Sequence, residues 1–310
     1  MTAMKIGYFA DGPWSHKALE LITCNPLLEV IFIVPRYEMP DETLKDWAEK
    51  LNIPFLPYKN VNSPDTIEEL AQYGAELFVS LSFNQILKKD IINTPKLGFI
   101  NCHAGALPFY RGCNPLNWVL INGETEFGVT AHYIDEGIDT GKIIEQRMYP
   151  ISQEDTYGSL LSKAIVECAQ VLYSAIIKIA LGEVKAVDQS SIHPVGSYFG
   201  RRINGDEVID FSWPAIQIFN FVRAIHTPAP LARFFVAEQM YAVASCELLP
   251  DAPDYISTVG EVVGKHERGN VVKVGDSTIC FTKICEVEDG VLGEAFTPTF
   301  RVGTRLNRAL

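Results

Sequence analysis

An amide, an imidazole and a carboxylate stand close together at Asn101, His103 and Asp139, each following an apolar run. A neutral imidazole can take a proton from an attacking amine, an amide N–H can stabilise a developing oxyanion, and a carboxylate can orient the imidazole or relay protons. The three groups together suit acyl transfer without a covalent intermediate. The chain has no serine in a G-x-S-x-G elbow to offer a covalent route. Cys102 lies between the amide and the imidazole, and strand alternation turns its side chain to the opposite face. Taken singly, each residue has a structural alternative: Asn101 could cap the turn after its strand, His103 could be a hydrogen-bonded buried histidine, and Asp139 could serve only an Asx-turn.

These side chains need strand ends to carry them, and the N-terminal half supplies the pattern. Residues 5–9, 30–34 and 76–80 read as buried strands; 15–24, 41–51 and 63–73 read as helices with Ser15, Asp41 and Ser63 as N-caps. Strand and helix in repetition predict an α/β fold, a Rossmann-like, mostly parallel sheet covered on both faces. In such sheets ligands sit in the crevice beyond the carboxyl ends of the strands. The first strand-to-helix turn, Ala10-Asp-Gly12-Pro13-Trp14-Ser15, holds one glycine and so lacks the cradle for a nicotinamide dinucleotide.

Past Asn101 the pattern predicts a turn at 108–112, a helix at 116–122, strands at 128–134 and 142–148, and a long helix over 156–181 that Gly182 ends. A connector at 191–205 and a helix at 215–225 follow. The strands then become short and alternating, at 233–237, 240–248, 258–264, 270–274 and 278–284, which predicts a smaller β-barrel of OB-like form. The expected division is a catalytic domain over 1–200 and a β-rich domain over 201–310.

The 310 residues include 26 basic and 38 acidic ones, a net charge of -12 that argues against a nucleic acid partner. Seven scattered cysteines without a C-x-x-C pair predict neither a disulfide framework nor a metal site. No signal-peptide pattern opens the chain, and its apolar stretches fall short of the about 18 residues that span a bilayer. The expectation is a cytoplasmic protein with no membrane partner.

The window from Asn101 to Gly141 resembles the formyltransferase family that uses N10-formyltetrahydrofolate, whose pattern runs N-x-H, L-P-x-Y-R-G-x-x-P, G-x-T-x-H and D-x-G. The chain supplies Asn101-Cys-His103, Leu107-Pro108-Phe-Tyr110-Arg111-Gly112, Pro115, Trp118, Gly123, Gly128-Val-Thr130-Ala-His132 and Asp139-Thr-Gly141. The resemblance implies that Asn101, His103 and Asp139 are the catalytic trio and that N10-formyltetrahydrofolate is the formyl donor. It implies a folate site on two loops: Ser82, Phe83, Gln85, Ile86 and Leu87 on one, and Tyr133, Ile134, Asp135 and Gly137 on the other. For Phe83, Ile86 and Leu87 ordinary packing is an equal alternative. One departure is visible, since the family usually reads S-L-L-P where this chain has Gly105-Ala-Leu-Pro108.

The run Pro108 to Thr130, with Phe199-Gly200-Arg201-Arg202, is most similar to formyltransferases of nucleotide-linked amino sugars, such as the formyltransferase domain of the bifunctional UDP-4-amino-4-deoxyarabinose enzyme. That resemblance implies a small nucleotide-sugar substrate, with Tyr110, Arg111, Gly112, Arg201 and Arg202 as candidate contacts because arginine binds phosphate oxygens bidentately. A structural ion pair is the equal alternative for each arginine. Relatives of this kind are often dimers, so a homodimer is expected as one possible assembly.

Methionyl-tRNA formyltransferases also resemble the chain over its length. They carry a basic insertion after the second strand, where this chain passes directly through Pro35-Arg-Tyr-Glu-Met-Pro40. From Arg201 onward 11 Lys and Arg face 14 Asp and Glu, a net of -3. That balance disfavours tRNA docking. A formyltetrahydrofolate hydrolase and a silent folate-binding module are the remaining alternatives.

Overall fold

The computed structural model describes residues 2–306; Met1 and residues 307–310, the outer ends of the two expected domains, lie outside the described residues. The first half runs β1 (Met4–Ala10), α1 (Gly12–Thr23), β2 (Leu28–Val34), α2 (Glu42–Leu51), α3 (Pro64–Gln72), β3 (Leu77–Leu81), α4 (Lys89–Ile92) and β4 (Phe99–His103). Then come β5 (Arg111–Gly112), α5 (Pro115–Ile121), β6 (Glu126–Tyr133), β7 (Ile143–Pro150), α6 (Tyr157–Ala180), α7 (Gln189–Ile192) and β8 (Tyr198–Phe199).

The main sheet has the order β2-β1-β3-β4-β6-β7. β2, β1, β3 and β4 pair in parallel, whereas β6 and β7 are antiparallel to their neighbours. Every residue of β3 is buried and β1 exposes only Lys5, as strands covered on both faces require. Phe9, Phe32, Phe78 and Phe99 form the aromatic centre of one core, with the Phe9 and Phe99 ring centroids 4.8 Å apart.

Two of the three expected N-caps are in place. Asp41 accepts from the Leu44 amide at 3.1 Å, and Ser63 accepts from the Thr66 amide at 3.4 Å. Ser15 is not a cap. It is buried inside α1, where its hydroxyl donates to the Gly12 carbonyl at 2.7 Å. The helix starts earlier because Pro13 presets the first turn and the Gly12 amide is capped from outside by Asp41 Oδ2 at 2.9 Å.

α6 corrects a second expectation. By length and composition it could cross a membrane. Yet Ala164, Cys168, Val171, Leu172, Ala175 and Ile176 are buried, a repeat of three or four residues that marks a core-facing stripe. Gly182, at φ +69°, ends the helix as expected.

The chain divides into two compact units. The first comprises residues 1–115, 126–150 and 162–200; the second comprises 116–125, 151–161 and 201–310. The second unit holds α8 (Ala215–Ala224), β9 (Ala232–Val236), β10 (Gln239–Leu248), β11 (Val262–His266), β12 (Gly269–Lys273), β13 (Thr278–Glu288) and β14 (Val291–Leu292). Its antiparallel sheet has the order β11-β12-β13-β10-β9, and β14 pairs with β13. Residues 304–306 close the curl: Arg305 bridges Glu261 beside one edge strand, and Leu306 bridges Val236 of the other. The strand expected at 258–264 begins only at Val262, because Gly260 takes φ +74°, a turn conformation.

Candidate active site

The catalytic candidates sit where β4 runs out. Alternation along the strand puts Asn101 and His103 on one side and Cys102 on the other, where the Cys102 thiol donates to the Cys168 carbonyl at 3.5 Å. Beyond β4 the chain turns through a cis Leu107–Pro108 bond and reaches Tyr110 at φ +59°. The Tyr110 carbonyl lies 2.7 Å from His103 Nε2. A Cβ at Gly105 would stand 2.7 Å from that same nitrogen, so the glycine that replaces the family's serine lets the imidazole lie close against this loop.

Asp139 does not end a strand. It stands in the loop after β6 at φ +54°, a left-handed conformation that aspartate tolerates better than most residues. Its Oδ2 accepts the Gly112 amide at 2.8 Å and lies 3.6 Å from His103 Nδ1. Its Oδ1 lies 3.5 Å from Nε2 of His132. His132 completes the cluster, although in the sequence it stands only as a position of the G-x-T-x-H motif. The available signal was register: antiparallel pairing sets His132 directly opposite Asn101, which places both side chains on one face.

The partners of the two imidazoles assign their protons. His103 Nε2 meets the Tyr110 carbonyl and His132 Nδ1 meets the Tyr133 carbonyl at 2.8 Å, so each of these nitrogens carries a hydrogen. His103 Nδ1 and His132 Nε2 are therefore the nitrogens without a hydrogen in the neutral rings, and both face Asp139. Asn101 Nδ2 stands 3.4 Å from His132 Nε2, a contact weak enough to yield to a better acceptor.

Burial sets the charges. It pulls His103 below the ordinary histidine value, against the opposing pull of the Asp139 charge and the Tyr110 carbonyl, so the imidazole is neutral near neutral pH. Burial pushes Asp139 up, but the His103 charge, the nearby His132 and the Gly112 amide outweigh it and hold the carboxyl well below the usual carboxylate range. A neutral base beside a fixed anion can take a proton and have the resulting cation stabilised in place. An amide N–H nearby can meet a developing oxyanion.

The loop carrying Asp139 is internally pinned. Asp135 accepts the Gly137 amide at 3.1 Å and the Thr140 hydroxyl, so the Asx-turn that stood as the structural alternative for Asp139 belongs to Asp135. Gly141 passes so close to the end of β6 that a Cβ would fall 1.8 Å from the Tyr133 carbonyl oxygen. Gly141→Ala is expected to displace the loop, lowering stability by about 1–3 kcal/mol and kcat with it. Thermal melting and turnover of the purified variant check this, and an unchanged kcat would contradict the role given to the loop.

The two loops expected to hold folate meet on one apolar base. Phe83, Leu87 and Ile134 pack against the cluster of Phe9, Phe78 and Phe99, with the Phe83 and Phe9 rings 5.7 Å apart edge to face. Ser82 takes φ +61°, and Ile86 is 77% exposed. Gln85 spends its amide on the neighbouring loop, donating to the Tyr58 carbonyl at 2.8 Å and accepting the Val61 amide at 3.0 Å. The Tyr133 ring lies over Gly98. Asp135 and Gly137 are exposed.

Of the expected acceptor contacts, Tyr110 and Gly112 enter the site through their backbones, and the Tyr110 ring stacks on Phe199 at 5.2 Å. Arg111 points its Nε and Nη2 at Gln189 Oε1, at 3.0 and 2.7 Å, and its Nη1 at the Val195 carbonyl at 3.1 Å. Arg201 and Arg202 fall in the second unit. Arg201 is exposed; burial pulls Arg202 below the usual arginine value, partly offset by Asp206 and Glu207.

Comparison with known proteins points the same way. The profile described as formyl transferase matches residues 32–176, and the profile described as formyl transferase, C-terminal domain, matches residues 203–290. The bifunctional polymyxin resistance protein ArnA of Wigglesworthia glossinidia brevipalpis is 37% identical over 191 residues, 61% of this chain. That match spans 28% of the relative's length. Among solved structures, WlaRD, a sugar 3N-formyl transferase crystallised in the presence of dTDP and 5-N-formyl-THF, is 26% identical with a TM-score of 0.67, covering 90% of this chain and 97% of that one. The N-formyltransferase from Helicobacter canadensis, in complex with folinic acid and dTDP-3-aminofucose, is 24% identical with a TM-score of 0.69, covering 90% and 99%. At that identity the second likeness is one of fold.

Proposed function

We propose a function from one premise: this chain belongs to the formyl transferase family. On that premise it is an enzyme that moves a formyl group. The donor is N10-formyltetrahydrofolate and the acceptor is the amino group of a nucleotide-linked sugar. The observation that carries the reaction is the convergence of His103 and His132 on the Asp139 carboxylate, with the Asn101 amide against His132. What supports the acceptor is the likeness, over nine-tenths of the chain, to a sugar 3N-formyl transferase crystallised in the presence of dTDP and 5-N-formyl-THF. The acidic balance of residues 201–310 supports a small acceptor over tRNA.

The sugar amine enters neutral and attacks the formyl carbon. The Asn101 amide donates to the oxygen that becomes negative. The amine proton passes to His103 Nδ1, where the resulting imidazolium faces the Asp139 carboxylate, and from this cluster a proton returns to the departing N10 of the folate. The C–N bond to the sugar forms, the C–N10 bond breaks, and the proton count closes without metal or redox partner. The folate lies in the crevice floored by Phe83, Leu87 and Ile134. A cytoplasmic location and a homodimer belong to the same proposal.

Incubation with N10-formyltetrahydrofolate and a panel of UDP-, dTDP- and GDP-linked amino sugars, beside charged methionyl-tRNA, tests the acceptor by mass spectrometry. The expected result is a formylated sugar nucleotide. Formylation of the tRNA alone, or release of formate with every amine, would overturn the reading.

A further inference from the structure

We propose that Gln189 is a positioning residue for Asp139, holding its backbone in the left-handed turn that aims the carboxylate at the two histidines. The inference rests on the function proposed for the site. Gln189 is 3% exposed, and its amide hydrogens both go to the aspartate loop, to the Asp139 carbonyl at 2.7 Å and the Gly141 carbonyl at 2.8 Å. Its Oε1 receives both Nε and Nη2 of Arg111. These four bonds use both hydrogens and both lone pairs of the carboxamide.

These bonds close a ring. Gly112, the residue after Arg111, donates its amide to the Asp139 carboxylate. Asp139 is gripped at its side chain by Gly112 and at its carbonyl by Gln189, and the same dipeptide supports both grips. The dipeptide is itself fixed on the segment that follows Gln189: β5 pairs with β8, the Arg111 amide donates to the Ser197 carbonyl at 3.0 Å, and the Tyr110 amide to Ser197 Oγ at 2.9 Å. A left-handed aspartate persists only when its surroundings over-determine it. In this ring Arg111 is engaged by protein rather than left to face a phosphate.

Gln189→Glu and Gln189→Met separate this role from a merely structural one. Glutamate still accepts from Arg111 but offers no hydrogens to the two carbonyls. Both variants are expected to lose about 100-fold in kcat with KM for either substrate unchanged, the effect of a small misplacement of a reacting group. In Gln189→Met the aspartate's charge moves away from His103. That charge holds the imidazole's pKa up, so the acid limb of the rate profile shifts to lower pH. The same downward shift is expected in an NMR titration of His103 in the ligand-free protein, which decides the question even if no amino sugar proves to be the acceptor. Wild-type kcat in Gln189→Glu would make the residue only a partner of Arg111, and an unmoved His103 titration in Gln189→Met would equally overturn the proposal. So would Arg111→Lys, if it raised KM for the nucleotide sugar and left kcat intact, since that is the signature of a phosphate ligand.

Discussion

His103→Ala is expected to retain folate binding and to lose about two to four orders of magnitude in kcat, the usual contribution of a positioned base. The expectation follows from the protonation pattern. Nε2 is committed to the Tyr110 carbonyl, Nδ1 faces Asp139, and burial keeps the ring neutral. No other neutral base among the described groups has this setting, because His132 lies on the far oxygen of the same carboxylate and against Asn101. The pH dependence carries a sign. The active form is the unprotonated one and burial lowers the folded pKa, so kcat/KM persists to pH values below the ordinary histidine value and falls as pH drops through the lowered one. Steady-state rates across the acid range check this. A limb above the ordinary histidine value would mean that the Asp139 charge outweighs burial.

Asp139→Asn is expected to lower kcat by about three orders of magnitude, as loss of a buried charge that stabilises a catalytic imidazolium does elsewhere. The carboxamide has nearly the shape of the carboxylate, and its oxygen can still accept the Gly112 amide. What goes is the anion facing Nδ1. His103 then becomes a weaker base, since the Asp139 charge is the largest influence holding its pKa up. The acid limb therefore moves to lower pH while the plateau falls. A variant that kept the plateau would show that Asp139 only holds the loop. Gln189 already holds that loop through the Asp139 and Gly141 carbonyls, independently of the carboxylate.

The sheet was legible because its strands carry continuous β-branched and aromatic runs, and burial of both faces demands that pattern. The caps at Asp41 and Ser63 were legible for a local reason, a side chain bonding an amide three residues on. Ser15 misled because the start of α1 is set by Pro13 and by a carboxylate from another helix cap, which no local pattern displays. Closure of the second unit by residues 304–306 was hidden in the same way, since three residues of an edge pairing have no period to read. At the site, Asn101 and His103 followed from alternation along one strand. His132 needed the register of two. Gln189 reaches Asp139 from 50 residues away, and its role exists only in the folded chain.

The central claim is that this cluster passes a formyl group from folate directly to a sugar amine. Single turnover with isotopically labelled N10-formyltetrahydrofolate and the best nucleotide-linked amino sugar, compared between the wild type and Asp139→Asn, tests it most directly. The account predicts label on the sugar nitrogen within one turnover in the wild type and label still on the folate in the variant. Label recovered as formate in the wild type, or equal transfer by both proteins, would contradict it.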